Sequence, residues 1–551
     1  ATDWVNVTSS TLWCDAGTSS SADFSRGQAW YDLMIAIKPD DDNTVFVGGV
    51  DIMKTTSAGT PTSSWAQITQ WASGCAALPN IHADIHNIVY LPGSSTEFVV
   101  ATDGGLFYTA NGGTTFAEKN NSYNITQYYS CAIHPASGSN YMLAGAQDNG
   151  SHKFTTAGMN AVTTASGGDG GFCEIDQKNP LQQITNFTGT NLNLSNDGGA
   201  VFTYIGGVAS DRFINPGDFD TASSTTPALS TAARYYCGGG TRTFRRLNLN
   251  FVAKSGTFND FTVTSSTTNH SVSAIKVDPN TTNRVWFAMS TASSAVASVA
   301  PQLFYAGSAN GTPTFTQITL PGTITTGQYI SSIDVERGNA SHILITLSNY
   351  GVASVYESTN LGVSWTSLDN NGVNLPDVPV RWGMFIPPNY QQVVTGVGGI
   401  LLATELGVWG TNSFNGTSTP WAQNNTGIGN VRSDMLKLRG SDKVVAVATH
   451  GRGLFTGALI NVLPVNFVWF KGVPLDNSNR LLWKVGNSIN NRGFEIERKY
   501  EGENSFSNIG FVAATGSGAA DIEYRFDDQN LNLSKQVAIY RLKQVDFSGN
   551  Y

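Results

Sequence analysis

The chain is 551 residues long, carries a formal net charge of -9, and has only 13% charged residues against 58 glycines. The length allows a large core and more than one domain, the negative balance argues against nucleic acid as a partner, and no apolar run approaches the roughly 18 residues that a transmembrane segment needs. The abundance of Gly, Ser, Thr and Asn suits a turn-rich, all-β protein facing the outside of a cell. The chain opens on Ala1 rather than Met, as expected after removal of a signal peptide. Its five cysteines lack metal-ligand spacing such as CxxC. Cys14 and Cys75 are expected in loops, where an oxidising compartment would let them pair. Cys131 and Cys173 are expected as buried thiols of inner strands.

In chain order, Asp3–Thr8 reads as an orphan outer strand, similar to the stretches at 64–68 and 364–368 that end complete units. First strands of successive units are expected at 33–39, 85–92, 128–135, 171–176, 212–216, 272–279, 330–335, 380–387 and 431–438. They stand roughly 40–60 residues apart, the period of a propeller blade. The clearest unit runs through Thr96–Asn120, which reads as three short strands with turns at Thr102-Asp-Gly-Gly105 and Thr109-Ala-Asn-Gly-Gly-Thr-Thr-Phe116. Asn and Gly there supply the positive φ that tight turns need. Related turns occur at Ser195-Asn-Asp-Gly-Gly-Ala-Val-Phe202 and Ser358-Thr-Asn-Leu-Gly-Val-Ser-Trp365. The expected architecture is a single large β-propeller over 1–460, of about nine blades within a range of seven to ten. The last blade lacks an outer strand, which Asp3–Thr8 would supply.

Those turns resemble the Asp-box (BNR) repeat of sialidases, sortilin-like proteins and xyloglucan-degrading propellers. The resemblance covers 1–460 and implies a fold rather than an activity. The Arg-containing segment of sialidases is missing, the chain is too short for the paired propellers of xyloglucanases, and no sortilin-like cysteine-rich tail is present. After a linker at 461–465, alternating strands at 480–485, 494–498, 507–512, 524–526 and 539–545 predict a small β-sandwich over 466–551, of immunoglobulin or fibronectin III type. The stretches 490–498 and 540–551 resemble the module preceding the sorting domain in Bacteroidetes proteins exported by the type IX system. This implies passage through the outer-membrane secretion machinery to the cell surface or medium. Asp220-Thr221-Ala222 resembles the O-glycosylation site of such proteins, which makes Thr221 a candidate acceptor.

In a propeller, ligands meet the segments leading into first strands and the loops between second and third strands. The first four units place Trp30, Tyr31, Asp32, His82, Asp84, His86, Tyr128, Gln147, Asp148 and Asp169 at such positions. Later units add Tyr329 and Trp382. Asp32, Asp84, Asp148 and Asp169 are candidate catalytic carboxyl groups for a glycoside hydrolase. Trp30, Tyr31, Gln147, Tyr128, Tyr329 and Trp382 are candidates for holding a sugar. If His82-Ala-Asp-Ile-His86 is extended, alternation puts His82, Asp84 and His86 on one face, a set suited to a divalent metal ion. The leading expectation is a secreted or cell-surface protein that binds a polysaccharide or glycan. A glycoside hydrolase and a structural surface component are the alternatives.

Overall fold

In a computed structural model the described residues are 25–58, 65–72, 75, 77–292, 299–387, 399–425, 427–459, 466–486, 491–515, 521–532, 534–535 and 537–546. Asp3–Thr8, Cys14 and the expected linker 461–465 lie outside them. The chain divides into two compact units. Of the described residues, the first holds 25–134, 139–261 and 448–454, and the second holds 135–138, 262–447 and 455–546.

The first unit is built from four-stranded antiparallel meanders whose strands pair in sequence order. The first sheet is Met34–Lys38, Asp41–Gly48, Ile52–Thr55 and Trp65–Gln67. The second is Ile85–Tyr90, Phe98–Thr102, Gly105–Thr109 and Ala117–Glu118. The third runs from Tyr128–Ile133 to Thr163–Ser166, the fourth from Glu174–Ile175 to Thr203–Val208, and the fifth from Gly217–Asp220 to Ser255–Thr262. The second unit adds meanders opening at His270–Val277, Ile330–Val335 and Val380–Ile386. A three-stranded sheet of Ser433–Arg439, Val444–Thr449 and Leu454–Ala458 follows. Its hairpin residues group with the first unit, where His450 bridges Gln127 and Gly453 donates to the Thr126 carbonyl at 3.0 Å. The expected first strands overlap the observed ones except in the fifth unit. There the strand starts after Pro216 rather than at Arg212, since a proline carries no N–H for the ladder.

Two three-stranded sheets end the second unit. Asn466–Leu475 and Ile522–Asp528 flank Ser478–Gly486, and Ser507–Ala513 and Ala538–Asp546 flank Asn491–Tyr500. Leu481, Trp483, Val485, Phe494, Ile496 and Tyr524, drawn from both sheets, form one buried cluster. The strand Asn466–Leu475 was not expected: its exposed Phe467, Val468, Phe470 and Val473 break the alternation that marks a half-buried strand.

Between the blade-like sheets the core is made of alternate strand residues. In the second sheet Ile88 pairs Val100, which pairs Phe107. Ile85, Ile88, Phe98 and Val100 are buried against Phe46 and Ile52 of the first sheet. Phe98 meets Phe46 edge-on at 5.5 Å. Each such side chain contributes about 1.5–3 kcal/mol on burial.

Two side-chain devices make the hairpins. At the outer turn a Ser or Thr hydroxyl accepts the N–H of the Gly four residues on, and an Asn or Asp two residues on accepts a second N–H. Thr109 takes Gly113 at 3.1 Å while Asn111 takes Thr115 at 2.9 Å. Ser195 and Asp197 repeat this with Gly199 and Val201, and Ser358 and Asn360 with Gly362 and Ser364. At the inner turn a distant Asn closes the loop. Asn120 accepts from Leu106 N–H at 2.8 Å and donates to the Gly104 carbonyl at 2.9 Å. Thr102 donates across the same turn to the Gly105 carbonyl. In the second unit Asn425, Val408, Leu406 and Thr404 repeat it. Gly105 has φ 109°, and a Cβ there would lie 2.1 Å from the Asn120 amide oxygen, so both the conformation and the clamp require glycine.

His342, in the second unit, is buried between Glu336 and Glu357, which its two ring nitrogens meet at 2.9 and 2.8 Å. Its ring packs on Phe385 at 4.4 Å. Burial disfavours the charged ring, but the two glutamates outweigh it and hold the pKa above the ordinary histidine value.

Two outcomes are expected. Gly113 has φ 90° and a Cβ there would lie 2.9 Å from Ile68, whereas Gly112, at φ 67°, faces open space. Gly113→Ala should therefore cost about 1–3 kcal/mol and Gly112→Ala less, read as the shift of the first thermal transition. Because the pKa of His342 is raised on folding, its contribution is complete below about pH 6.5 and is lost as pH rises through the folded value. The difference in melting temperature between the parent and His342→Gln should shrink between pH 6 and pH 9.

Candidate functional site

Loops of the first unit gather five aspartates. Asp32 follows the turn Ser25–Tyr31, in which Tyr31 N–H donates to the Gln28 carbonyl at 2.7 Å. Asp84 stands just before the first strand of the second sheet, where its N–H donates to the Val50 carbonyl at 3.1 Å. Asp103 lies in the inner turn closed by Asn120. Asp148 is in the equivalent turn of the third sheet, and Asp169 lies in the glycine-rich stretch leading into the fourth. Asp169 reaches Asp148 because Gly170 packs directly on the third sheet: its N–H donates to the Ala146 carbonyl at 2.7 Å, and a Cβ there would lie 2.3 Å from the Gly150 oxygen.

The side chains interlock. Gln28 donates its amide to Asp84 at 2.9 Å and to Asp32 at 3.4 Å. Tyr31 donates its hydroxyl to Asp103 at 2.7 Å, and the His86 Nε2 meets the other Asp103 oxygen at 2.5 Å. Asp169 accepts the Asp148 N–H and the Gln147 amide, both at 3.0 Å. Gln147 also donates to Asp148 at 3.1 Å and accepts from the Tyr129 hydroxyl. Asn149 ties the two turns together by donating to the Asp103 carbonyl at 3.1 Å. One oxygen each from Asp84, Asp103 and Asp148 lie within 4.8 Å of one another. None of the five carboxyl groups is paired with a Lys or Arg among the described residues.

This crowding has an electrostatic consequence. Burial first, then the Asp84 charge, push the Asp32 carboxyl up to about 6. Burial and the Asp103 charge raise Asp84, against the Gln28 hydrogen bond. Asp148 is held well above the usual carboxylate range by burial and by the neighbouring Asp103 and Asp169 carboxyls. Burial and the Asp103 hydrogen bond raise Tyr31 also, so its hydroxyl remains a donor.

The four expected acids thus come together, and Asp103 joins them. Asp103, in the turn Thr102–Gly105, is not among the acids expected from the sequence. The expected metal set is not on one face of a strand. The strand starts only at Ile85, and Asp84 has φ 66°, which breaks the alternation. His82 is engaged by backbone: its Nε2 meets the Asp148 carbonyl at 3.0 Å and its Nδ1 the Ala83 carbonyl at 3.2 Å. His86 serves Asp103 instead. The carboxylate cluster, not the histidines, is the arrangement suited to a cation.

Among the expected sugar-contacting aromatics, Trp30 is 83% and Tyr31 46% exposed, with ring centroids 5.6 Å apart. Tyr31 also meets the His86 ring edge-on at 5.1 Å. Tyr128 is buried, 2% exposed, with its hydroxyl 2.6 Å from the His152 Nδ1, so it is a core residue. Tyr329 and Trp382 belong to the second unit, where Trp382 packs on a cluster with Met384 and Leu436. Thr221 opens a short 3-10 turn capped by Asp220, which also pairs with Arg234 at 3.0 Å. The Asp-Thr-Ala sequence therefore has a local structural use. Cys131, Cys173 and Cys237 are buried thiols, and Cys75 is disulfide-bonded.

No family model matches the chain, and no curated protein is similar to it. Among solved structures it is similar to an ancestral GH74 enzyme, with 11% identity over 94% of this chain and 83% of that one, at a TM-score of 0.21. It is also similar to YCF48 bound to D1 peptide, with 8% identity over 69% of this chain and 90% of that one, at a TM-score of 0.29. Repeated four-stranded antiparallel meanders are by themselves suited to a propeller. At these scores the likeness assigns neither a family nor an activity.

Proposed function

We propose that the four-stranded sheets are propeller blades and that the chain is a glycan-binding protein of the cell surface or medium. Its ligand would lie over Trp30 and Tyr31 beside the aspartate cluster. The observation that carries this reading is the pairing of a largely exposed Trp30 with Tyr31, whose ring is fixed by Asp103 and His86. Aromatic faces cover the apolar side of a sugar ring, and neighbouring carboxylates accept its hydroxyls. A pre-fixed platform also loses little side-chain entropy on binding. The two C-terminal sheets fit a sandwich module used for export through the outer-membrane secretion machinery, by the resemblance of 490–498 and 540–551.

Hydrolysis is less well supported. A glycosidase sets two carboxyl groups about 5–10 Å apart on either side of a scissile bond. Here one oxygen each from Asp84, Asp103 and Asp148 lie within 4.8 Å of one another, below that separation.

The test is retention of the whole chain on immobilised plant, algal and bacterial polysaccharides, with reducing ends assayed in parallel. At least one polysaccharide should retain the parent, and Trp30→Ala should weaken retention by about tenfold, the scale of a central aromatic anchor. Retention on none would remove the glycan reading. Release of reducing ends would replace binding by hydrolysis.

A further inference from the structure

Among the described residues no Lys or Arg pairs with the carboxyl groups of the aspartate cluster. Asp84, Asp103 and Asp148 come from three separate loops, yet oxygens of all three lie within 4.8 Å of one another. Calcium takes oxygen ligands at about 2.3–2.6 Å, so ligands of one ion stand up to about 5 Å apart. The observed spacing fits that sphere.

A second observation points the same way independently. Asp32 is not one of the three, and it is fully buried. Among the described residues its Oδ1 has no hydrogen-bond partner, and its Oδ2 shares the Gln28 amide with Asp84. A buried carboxylate with an unmet oxygen is costly unless a proton or a cation stands before it. Among the described residues no Lys or Arg side chain pairs with Asp32.

The donor set selects the kind of ion. Both ring nitrogens of His82 face carbonyl oxygens, and the His86 Nε2 is taken by Asp103. What remains is oxygen, which suits a hard cation rather than zinc. Tyr31 and His86 on Asp103, and Gln147 on Asp148, are the outer hydrogen bonds that orient such ligands.

We infer that Asp84, Asp103 and Asp148 form a calcium site, with Asp32 behind it as a further source of negative charge. The ion would fasten the loops of the second and third sheets and fix the ground beneath Trp30 and Tyr31. This does not depend on the glycan reading, since the ion binds without a sugar.

The experiment is calorimetric titration of calcium chloride alone into the chelator-treated whole chain at pH 7.5, with thermal unfolding followed alongside. Terbium luminescence sensitised by Tyr31 and Trp30 gives a local readout. One ion per chain should bind, with a Kd on the order of 10⁻⁵–10⁻³ M, and should raise the melting temperature. Asp103→Asn and Asp148→Asn should each weaken binding at least tenfold and abolish the sensitised emission. Absence of both calcium heat and a melting shift in the parent would overturn the site. Undiminished binding in both variants would overturn it as well, by placing the ion elsewhere. Neither result bears on retention by polysaccharides, so the two readings fail separately.

Discussion

Every short strand in these sheets must reverse within a few residues, and each reversal leaves backbone N–H and C=O groups that the ladder does not use. Side chains take them up. Thr109, Ser195 and Ser358 each hold a glycine N–H, and Asn120 and Asn425 each hold both a donor and an acceptor of an inner turn. An unmet buried peptide group costs on the order of 1–3 kcal/mol, a large fraction of a domain's net stability. The abundance of Ser, Thr, Asn and Gly in the sequence follows from this requirement.

The same constraint builds the site. Asn120 fixes the turn that carries Asp103, and Asn149 ties that turn to its counterpart in the third sheet. Asp103 and Asp148 are therefore placed by backbone geometry rather than by attraction, and their carboxyl groups meet although like charges repel. Asp148 and Asp84 respond with raised pKa values. Strain of this kind, imposed by a stable framework, is a common mark of a functional site. The exposed Trp30 beside it gives the same loops an apolar surface.

The C-terminal sheets rest on other physics. Trp483 stacks on Tyr524 and meets Phe494 edge-on, so the two layers are joined by aromatic contacts rather than by turn hydrogen bonds. Arg498 of one sheet reaches the buried Asp528 of the other at 2.6 Å, and Arg480 pairs with Asp527 opposite it on the neighbouring strand of its own sheet.

Local pattern was enough for the all-β class, for most first strands and for the outer turns, because alternation and turn chemistry act over a few residues. It was also enough to direct attention to Asp32, Asp84, Asp148 and Asp169, since their positions within each repeat are a local property. It misled where local signals conflict. The His82–His86 row looks extended, but Asp84 takes positive φ because its N–H bonds Val50 on the first sheet. Tyr128 looks like a rim aromatic and is core, its ring packed against His152 and Phe154 of the same sheet. Sequence alone determined which residues sit at the tips of the repeats. Only the tertiary structure decided which tips touch, why Asp103 belongs with them, and that carboxylates rather than histidines share one centre. The reason is that those contacts join residues tens of positions apart, through hydrogen bonds that no local spacing encodes.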